Sequence, residues 1–477
     1  MSTTELPERA SIFEHYSLDD IYEEIRRVYL SYPYPWVVGY SGGKDSTTAL
    51  QLVWYALAEL PPEQRRKRVY VISTDTLVET PVIVDYIDET LRRIEECAAE
   101  SNMPFTIQKL TPVLDDTFWV NLIGRGYPAP NRLFRWCTER LKINPSNRFI
   151  LSKVAEHGEV ILVLGIRRGE SATRDQVINM HRVRGHLLAR HGQLARAWVY
   201  MPIEHFSKDD VWKYLLQVPS PWGGDNRSLA SLYRSANDGE CPMVVDDTTP
   251  PCGNSRFGCW TCTVVARDRS MEAMIDSGEE WMIPLLEFRD WLASTQDPTV
   301  KPQQREFKGR DGQVRITNKG LLWRTYTAET SREILRRLLQ TQVQVQQYDP
   351  TLVLIREDEL KEIRRLWLTE RQDWEDWLPK IHSEVTGESI EWDINDISVP
   401  GRLELELLQK IALRQNVPVQ LLQKLIDAEW QYYGMHRRGL IHKTIEKVLN
   451  EDWRTLEEIQ AEVKLRQQQA SGPMEIA

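Results

Sequence analysis

The amino-acid sequence predicts an α/β protein with a mainly parallel sheet, followed by a helical C-terminal region. Short apolar runs alternate with helical periodicities in the first half of the chain, which favours right-handed βαβ units around a parallel sheet. Beyond residue 270 the spacing of apolar residues is helical, apart from one polar interruption at 301–319. The predicted strands are residues 36–40, 68–73, 105–110, 160–165 and 198–203, and the predicted helices among them are 13–30, 47–60, 81–100 and 208–217.

Local signals support several of these elements. Ser17, with Asp19 and Asp20 after it, is typical of a helix N-cap. Pro81 fits the first turn of a helix, because a backbone N–H at that position would have no hydrogen-bond partner within the helix. The run PSPWGG at 219–224 breaks the alternating pattern. We therefore expect the sheet domain to end near this point.

Changes in composition divide the chain into four predicted parts. Four cysteines follow the proline- and glycine-rich break within a loop-rich stretch, and long helical periodicities follow them. We expect the last part to serve packing or partner docking. The parts are an N-terminal helix (1–30), a nucleotide-binding domain (31–218), a four-cysteine lobe (219–290) and a mainly helical C-terminal region (291–477).

Composition and charge limit the function. The chain is 41% apolar and 27% charged, with a net charge of −10, which is ordinary for a soluble globular protein. No apolar stretch is long enough for a membrane span, and the acidic N-terminus lacks a signal-peptide core, so we expect a cytoplasmic protein without a membrane partner. From residue 121 to 200 there are 14 Lys/Arg against 5 Asp/Glu. This excess of positive charge predicts either a surface that binds polyanions or an ATP site accompanied by ordinary solvated arginines.

A glycine-containing loop, SGGKDS, lies between the first predicted strand and the next helix. Its glycines let a ligand approach the backbone, the first helical turn points N–H groups at an anion, and its lysine adds positive charge. The loop therefore predicts a phosphate site, with a plain glycine turn as the alternative. The Walker pattern does not fit, because Val38 replaces its glycine and Asp45 follows the lysine. The predicted nucleotide-binding residues are Ser41, Gly42, Gly43, Lys44, Asp45 and Ser46, and Lys44 and Asp45 are also predicted to be catalytic.

Charged residues also follow two other predicted strands. Asp75 ends the second strand, where it either binds the nucleotide or a magnesium ion, or caps the next turn. The stretch GIRRGES at 165–171 ends the fourth strand, and its arginines suit bidentate phosphate binding. Because ligands of parallel sheets bind beyond the carboxyl ends of the strands, we expect one shared site. The predicted roles are catalytic for Arg167 and Arg168, and nucleotide binding for Asp75 and Arg174.

Four of the six cysteines have the spacing C-x10-C-x6-C-x2-C in a segment rich in glycine and proline. The tight final pair lets two thiolates reach one metal centre. Four thiolates suit either tetrahedral zinc or an iron–sulfur cluster, and the spacing does not separate the two. Four unrelated buried thiols are the alternative. The predicted metal ligands are Cys241, Cys252, Cys259 and Cys262.

Cys137 lies apart from these four, in the stretch RWCTERLK with Arg135, Arg140 and Lys142 close in sequence. Nearby cations stabilise a thiolate, which is the form that accepts persulfide sulfur. We therefore predict that Cys137 is a catalytic sulfur acceptor. The alternative is a buried structural thiol next to Trp136.

The motifs together resemble a known superfamily. SGGKDS resembles the PP-loop of ATP pyrophosphatases, which split ATP into AMP and pyrophosphate while activating a substrate. With the strand-terminal DT, RWC ahead of LK, GIRRGES, and P-I-x-x-x-S-x-x-D-V-W-x-Y at 202–214, residues 30–220 are similar to the phosphoadenylylsulfate-reductase branch. The resemblance implies a HUP-type nucleotide-binding fold that uses ATP and Mg²⁺. Those reductases carry a C-terminal ECGxH-type redox cysteine, which this chain lacks, so simple sulfate reduction is not expected.

With the four cysteines included, the pattern closely resembles the DndC/SspD family of DNA phosphorothioation proteins. The resemblance implies a [4Fe–4S] cluster on the four cysteines, with Zn²⁺ as the alternative. It implies DNA as substrate, a cysteine desulfurase as sulfur donor, and other Dnd or Ssp proteins as partners. The implied reaction adenylates a backbone phosphate so that sulfur replaces a non-bridging oxygen. Sulfur would travel either as a persulfide on Cys137 or through the cluster.

Other functions stay open at this stage. A tRNA or metabolite thiolation enzyme could use the same loop, as could a sulfonucleotide reductase. A non-catalytic sensor that binds a nucleotide and a cluster is the alternative from a different class. The intact SGGKDS loop favours an enzyme over the sensor.

Overall fold

The computed structural model describes residues 11–169, 172–181, 186–235, 258–318, 320–390, 392, 402–433 and 439–470. The chain divides into two compact units, and both are discontinuous in sequence. Unit 1 comprises Met1–Phe118 and Pro130–Leu286, and unit 2 comprises Trp119–Ala129 and Glu287–Ala477. The four parts expected from composition stay predictions.

The core of unit 1 is a six-stranded sheet. Its strands are β1 (Trp36–Gly39), β2 (Val69–Thr74), β3 (Phe105–Leu110), β4 (Val160–Val163), β5 (Ala189–Arg190) and β6 (Ala197–Tyr200). The strand order is β3-β2-β1-β4-β6-β5. Every neighbouring pair is parallel except the edge strand β5, which is antiparallel to β6. The predicted α/β fold with a mainly parallel sheet is therefore confirmed.

Helices connect the strands of unit 1. They are α1 (Leu18–Ser31), α2 (Lys44–Ala58), α3 (Pro81–Glu100), α4 (Trp136–Thr138), α5 (Asn144–His157), α6 (Ala172–His181), α7 (Lys208–Gln217), α8 (Asn226–Ser235) and α9 (Arg269–Asp276), with a π-helical segment at Glu139–Ile143. The predicted N-cap of α1 is confirmed, because Ser17 and Asp20 form a reciprocal capping box. Helix α3 begins at Pro81 as predicted.

Helix α2 begins three residues before its predicted start, at Lys44. The backbone explains the difference, because the Thr47 N–H donates to the Gly43 carbonyl at 2.9 Å and closes the first helical turn there. The Ser46 hydroxyl donates to the Gly43 carbonyl at 2.9 Å, and the Thr48 hydroxyl donates to the Lys44 carbonyl at 2.8 Å. The second half of SGGKDS is therefore the first turn of the helix rather than loop.

Unit 2 is mainly helical, which confirms the predicted character of the C-terminal region. Along the sequence, the division between the units falls within helix α10 (Ile283–Ser294), after Leu286. The further elements are α11 (Lys301–Gln304), β7 (Ile316–Thr317), β8 (Gly320–Leu321), α12 (Ala328–Val345), α13 (Glu357–Glu370), α14 (Trp377–Thr386), α15 (Arg402–Gln415), α16 (Val419–Gln431), α17 (Ile441–Leu449) and α18 (Leu456–Ala470). The predicted polar interruption corresponds to the short β7–β8 hairpin and its flanks. Among the described residues, no helix combines the length and apolarity of a membrane span.

Candidate nucleotide and metal site

The predicted phosphate loop connects the buried strand β1 to helix α2. Gly43 is the N-cap of α2 and has extended backbone angles. Gly42 has φ +76°, a left-handed conformation that L side chains rarely adopt. The Ser41 backbone N–H donates to the Ser46 hydroxyl at 3.2 Å, which closes the loop onto the first helical turn. The predicted order of strand, glycine loop and helix start is therefore present.

Two glycines allow other elements to pack closely around this loop. A Cβ on Gly42 would lie 2.7 Å from Cγ1 of Ile87 on α3. A Cβ on Gly165, just after β4, would lie 2.5 Å from the carbonyl oxygen of Asp45. No role was predicted for Gly165, although a glycine directly after a buried strand is a signal for close backbone approach. Gly165 sets how near the β4 end lies to the loop.

The charged residues of the loop form a buried cluster. The Lys44 Nζ lies 3.3 Å from Asp45 Oδ2. Arg167 Nε donates to Asp45 Oδ1 at 2.5 Å, and its Nη2 donates to Oδ2 at 3.3 Å. The side chains of Lys44, Asp45 and Arg167 are 4%, 3% and 9% exposed. Two positive charges and one negative charge therefore lie close together beside the loop N–H groups.

Arg168 has different surroundings from its neighbour Arg167. Its Nε donates to Glu204 at 2.5 Å, and its Nη1 donates to Asn179 Oδ1 at 2.9 Å. Its backbone N–H donates to the Glu204 carbonyl at 2.9 Å. These bonds connect the β4 end to α6 and to the chain after β6. The second predicted nucleotide ligand of this stretch, Arg174, lies in α6, and its side chain is outside the described residues.

Asp75 caps the turn after β2, and capping was one of its two predicted roles. Its Oδ1 accepts a hydrogen bond from the Leu77 backbone N–H at 2.8 Å, and Leu77 has φ +63°. Its Oδ2 lies 3.0 Å from the Nζ of Lys109. Binding of a nucleotide or magnesium ion by Asp75 stays a prediction.

The C-x-x-C pair lies on a turn that binds to the chain after β2. Within the turn, the Cys262 backbone N–H donates to the Cys259 carbonyl at 3.1 Å. The Trp260 N–H donates to the Val78 carbonyl at 3.0 Å, and the Thr80 N–H donates to the Gly258 carbonyl at 3.1 Å. Because β2 is the neighbour of β1 in the sheet, the turn and the phosphate loop both lie beyond the carboxyl edge. Sequence alone did not place them together.

Cys259 is partly buried, and its thiol lies beside polar groups. Burial raises its pKa well above the ordinary range, while the charge of Lys142 lowers it. The Thr76 hydroxyl lies 3.3 Å from the Cys259 sulfur. A thiolate at this position needs a compensating cation, and two thiols on one turn fit half of a zinc or iron–sulfur centre. The other two predicted ligands, Cys241 and Cys252, lie outside the described residues, and within those residues no group of three or more His, Cys, Asp or Glu could hold a metal.

Cys137 is partly buried in α4. The cations close to it in sequence have carboxylate partners: Arg140 contacts Asp116 at 2.6 Å, and Lys142 lies 3.8 Å from Glu79. These carboxylates offset part of the positive charge expected around the thiol. Glu79 also pairs with Cys259 through an isolated β-bridge, so it lies close to both Lys142 and the cysteine turn. A sulfur-accepting role for Cys137 stays a prediction.

The fold and the loop define a nucleotide-binding α/β domain, and a comparison with known families gives its type. Residues 35–265 match the family model described as "Phosphoadenosine phosphosulfate reductase domain". The chain therefore contains a phosphoadenosine phosphosulfate reductase-like domain of the PP-loop superfamily, as the motifs predicted.

Individual relatives are distant. The chain is 29% identical over 205 residues to an uncharacterized protein of Methanocaldococcus jannaschii, MJ0066, and this match spans 43% of the chain but only 35% of that relative. It is similar to phosphoadenylyl-sulfate reductase of Candida auris in a phosphate complex (14% identity, 46% of this chain and 87% of that one, TM-score 0.29). It is also similar to the U34-tRNA thiolase NcsA of Methanococcus maripaludis with its [4Fe-4S] cluster (13% identity, 62% and 89%, TM-score 0.27). The domain match, rather than these likenesses, is the basis of the assignment.

Proposed function

We propose that the protein is an ATP pyrophosphatase of DNA phosphorothioation, of the DndC/SspD type, acting in the cytoplasm. One observation carries the proposal: the phosphate loop after β1 and the cysteine turn bound to the chain after β2 lie beyond the carboxyl ends of adjacent strands. The predicted phosphate loop and a cysteine pair whose thiols suit sulfur or metal chemistry thus lie at one edge of the sheet, which supports the proposal. The reductase-like domain match supports the nucleotide part of the proposal.

The first step overcomes the poor leaving ability of a phosphate oxygen. In our proposal, a non-bridging oxygen of a DNA phosphodiester attacks the α-phosphorus of ATP, and pyrophosphate leaves. The product is a mixed anhydride of the DNA phosphate and AMP. A sulfur nucleophile at the sulfide oxidation level then attacks the DNA phosphorus, and AMP leaves with the former DNA oxygen. The phosphodiester keeps its two bridging oxygens and gains a phosphorus–sulfur bond.

The loop residues serve the first step. The backbone around Gly42 and Gly43 would bind the β- and γ-phosphates, and the hydroxyls of Ser41 and Ser46 can donate to phosphate oxygens. Lys44 would offset the charge that develops on pyrophosphate. A magnesium ion bound with the ATP would supply further charge stabilisation.

Asp45 and the two arginines have distinct roles in this scheme. Asp45 keeps Lys44 and Arg167 next to each other, so that two cations face the phosphates in a fixed arrangement. Preorganised charge of this kind needs no rearrangement during the reaction. Arg168, whose side chain is bound by Glu204, would position the residues after β4. Arg174 would contact either the ATP or the DNA backbone.

The second step needs a sulfur source near the loop. Cys259 and Cys262, with Cys241 and Cys252, would hold a [4Fe–4S] cluster, or Zn²⁺ as the alternative, and an iron–sulfur cluster would supply sulfur or electron chemistry when bound. Cys137 would accept sulfane sulfur from a cysteine desulfurase as a persulfide, and two electrons from a thiol reductant would then release that sulfur at the sulfide oxidation level. Other Dnd or Ssp proteins would complete the system, and the arginines between residues 121 and 200 would contact DNA.

To test the proposal, the purified chain is loaded with its metal and mixed with a desulfurase. Four substrates are then supplied in parallel reactions. These are duplex DNA, single-stranded DNA, tRNA and phosphoadenylyl sulfate. We expect pyrophosphate release that depends on duplex DNA, and phosphorothioate dinucleotides in nuclease digests analysed by mass spectrometry. Sulfur incorporated only into tRNA, or no ATP turnover with any substrate, would reject the proposal.

Sulfonucleotide reduction is the second candidate, because the matching family model describes a reductase domain. Residues 263–477 contain no cysteine and therefore no redox motif of the ECGxH type, which favours DNA modification in our proposal. Sulfite formed from phosphoadenylyl sulfate with a thiol reductant, without ATP, would favour this candidate over DNA modification.

A further inference from the structure

Asp75 and Thr76, directly after β2, have different partners. Asp75 contacts the Leu77 N–H and Lys109, whereas the Thr76 hydroxyl lies 3.3 Å from Sγ of Cys259. The Thr76 side chain is 0% exposed. The contact is long-range in sequence and joins the sheet directly to the sulfur of the cysteine turn.

The chemistry of a metal-bound cysteine fixes the direction of this contact. A coordinating cysteine is a thiolate, and a thiolate can only accept a hydrogen bond. A threonine hydroxyl can donate, and its bond strengthens in a buried region of low dielectric constant. In the metal-bound state the Thr76 hydroxyl therefore donates to the Cys259 sulfur.

We propose that the Thr76 hydroxyl stabilises the metal centre by donating a hydrogen bond to its Cys259 ligand. This inference rests on the proposed function, in which Cys259 is a metal ligand. Thr76 is a positioning residue, because it acts through the ligand and not on the substrate. Hydrogen-bond partners of metal ligands typically change metal affinity by about 10- to 100-fold when they are removed.

Thr80 provides a matched control on the same segment. It is 6% exposed, and its hydroxyl donates to the Gly258 carbonyl at 3.0 Å. Both threonines are thus buried and bound to the same turn, but only Thr76 contacts sulfur. Removing the Thr80 hydroxyl tests the anchoring of the turn, and removing the Thr76 hydroxyl tests the bond to the ligand.

The experiment compares the full-length wild type with Thr76→Val, Thr76→Ser and Thr80→Val. Each is reconstituted anaerobically with iron and sulfide, and separately with zinc, and the rate of metal transfer to a chelator is measured. We expect Thr76→Val to release metal about tenfold faster or more, while Thr76→Ser and Thr80→Val stay close to the wild type. If a cluster is present, its reduction potential should also fall in Thr76→Val, because hydrogen bonds to cluster sulfurs affect it.

The remaining outcomes overturn the inference in distinguishable ways. Equal release from Thr76→Val and the wild type rejects the hydrogen bond to the ligand but leaves the metal centre in place. Equal acceleration in Thr80→Val assigns the effect to anchoring of the turn. A wild type that binds neither metal rejects both the inference and the proposed cofactor. Thr76→Ala is a second hydroxyl-free variant, so the comparison with Thr76→Ser does not depend on the folding of one substitution.

Discussion

Arg167 binds both carboxylate oxygens of Asp45, with Nε 2.5 Å from Oδ1 and Nη2 3.3 Å from Oδ2. The contact joins the end of β4 to the first turn of α2, 122 residues away in sequence. It follows that Asp45, which the motif alone suggests as a ligand of the nucleotide, has a second role in positioning the cations of the loop.

Removing this carboxylate should destabilise the protein. Asp45→Asn removes the carboxylate that both Lys44 and Arg167 contact, and breaking a buried ion pair by removing one member costs about 3–5 kcal/mol. We expect a lower midpoint of urea unfolding, and a smaller loss in the double variant Asp45→Asn/Arg167→Gln than the sum of the two single losses. The control Glu96→Gln removes an exposed partner of Arg92 and should have little effect. Additive losses would mean that the two residues act independently.

Lys44→Ala should abolish pyrophosphate release. The lysine lies in the first turn of α2 beside the loop, where it would stabilise the leaving pyrophosphate. Loss of one such group lowers the rate on the order of 100-fold or more. Lys443→Ala, on an exposed position of α17, serves as the control. Pyrophosphate release is measured for both variants. Unchanged release from Lys44→Ala would reject the proposed adenylation step.

Gly165→Ala should disturb the loop through the backbone. The added Cβ would lie 2.5 Å from the Asp45 carbonyl oxygen and 2.8 Å from the Ser46 nitrogen, so the β4 end must move away. Overpacking of this kind costs about 1–3 kcal/mol. Thermal unfolding should show the loss, together with weaker ATP binding. Gly224→Ala is the matched control, because its nearest atoms would be 3.6 Å away; an equal effect there would contradict the steric explanation.

Cys137→Ser and Cys259→Ser should separate the two sulfur routes. We expect Cys259→Ser to lose the metal, since a ligand is removed, whereas Cys137→Ser keeps it. Sulfur transfer into DNA by Cys137→Ser would show that the Cys137 thiol is not needed for transfer and would favour the route through the cluster. Metal analysis and mass spectrometry of the modified DNA, run on the same preparations, provide both readouts.

Asp427 in unit 2 should make stability depend on pH. Burial raises its pKa from 3.8 to about 6 and outweighs the lowering effect of the Gln372 and Trp374 side chains. The folded state therefore binds more protons than the unfolded state between pH 3.8 and about 6, and stability falls as pH rises through this window. Thermal unfolding of Asp427→Asn should show a gain over the wild type at pH 7 that disappears near pH 4. A gain that persists at pH 4 would assign the effect to packing.

The sequence was most informative where local chemistry decides structure. The bounds of β3 and α3 match the prediction, because the alternation that starts at Phe105 and a proline at the first helical turn mark them. Strands β4 and β6 end earlier than predicted, since apolar residues continue past the last ladder pair. The two-residue edge strand β5 was missed, because two residues carry no periodicity.

The candidate site was only partly predictable. The phosphate loop and the cysteine turn were recognised from spacing, which reports local geometry. Their common position at one sheet edge depends on backbone pairing between Cys259 and Glu79, which are 180 residues apart. A pairing over this distance is not encoded in any local motif. For the same reason the sequence did not reveal Thr76, Thr80 or Gly165, whose importance comes from partners distant in the chain.

The segment Trp119–Ala129 constrains how the chain can be made and divided. Its π-helical part, Val120–Gly124, is fully buried. The indole N–H of Trp119 donates to the carbonyl of Leu354, 235 residues away. The indole N–H of Trp367 donates to the carbonyl of Ile123, 244 residues away. During synthesis this apolar stretch leaves the ribosome long before its partners and must stay shielded until they emerge. A recombinant fragment cut near residue 290 would expose it permanently and should precipitate, so biochemical work should begin from the whole polypeptide.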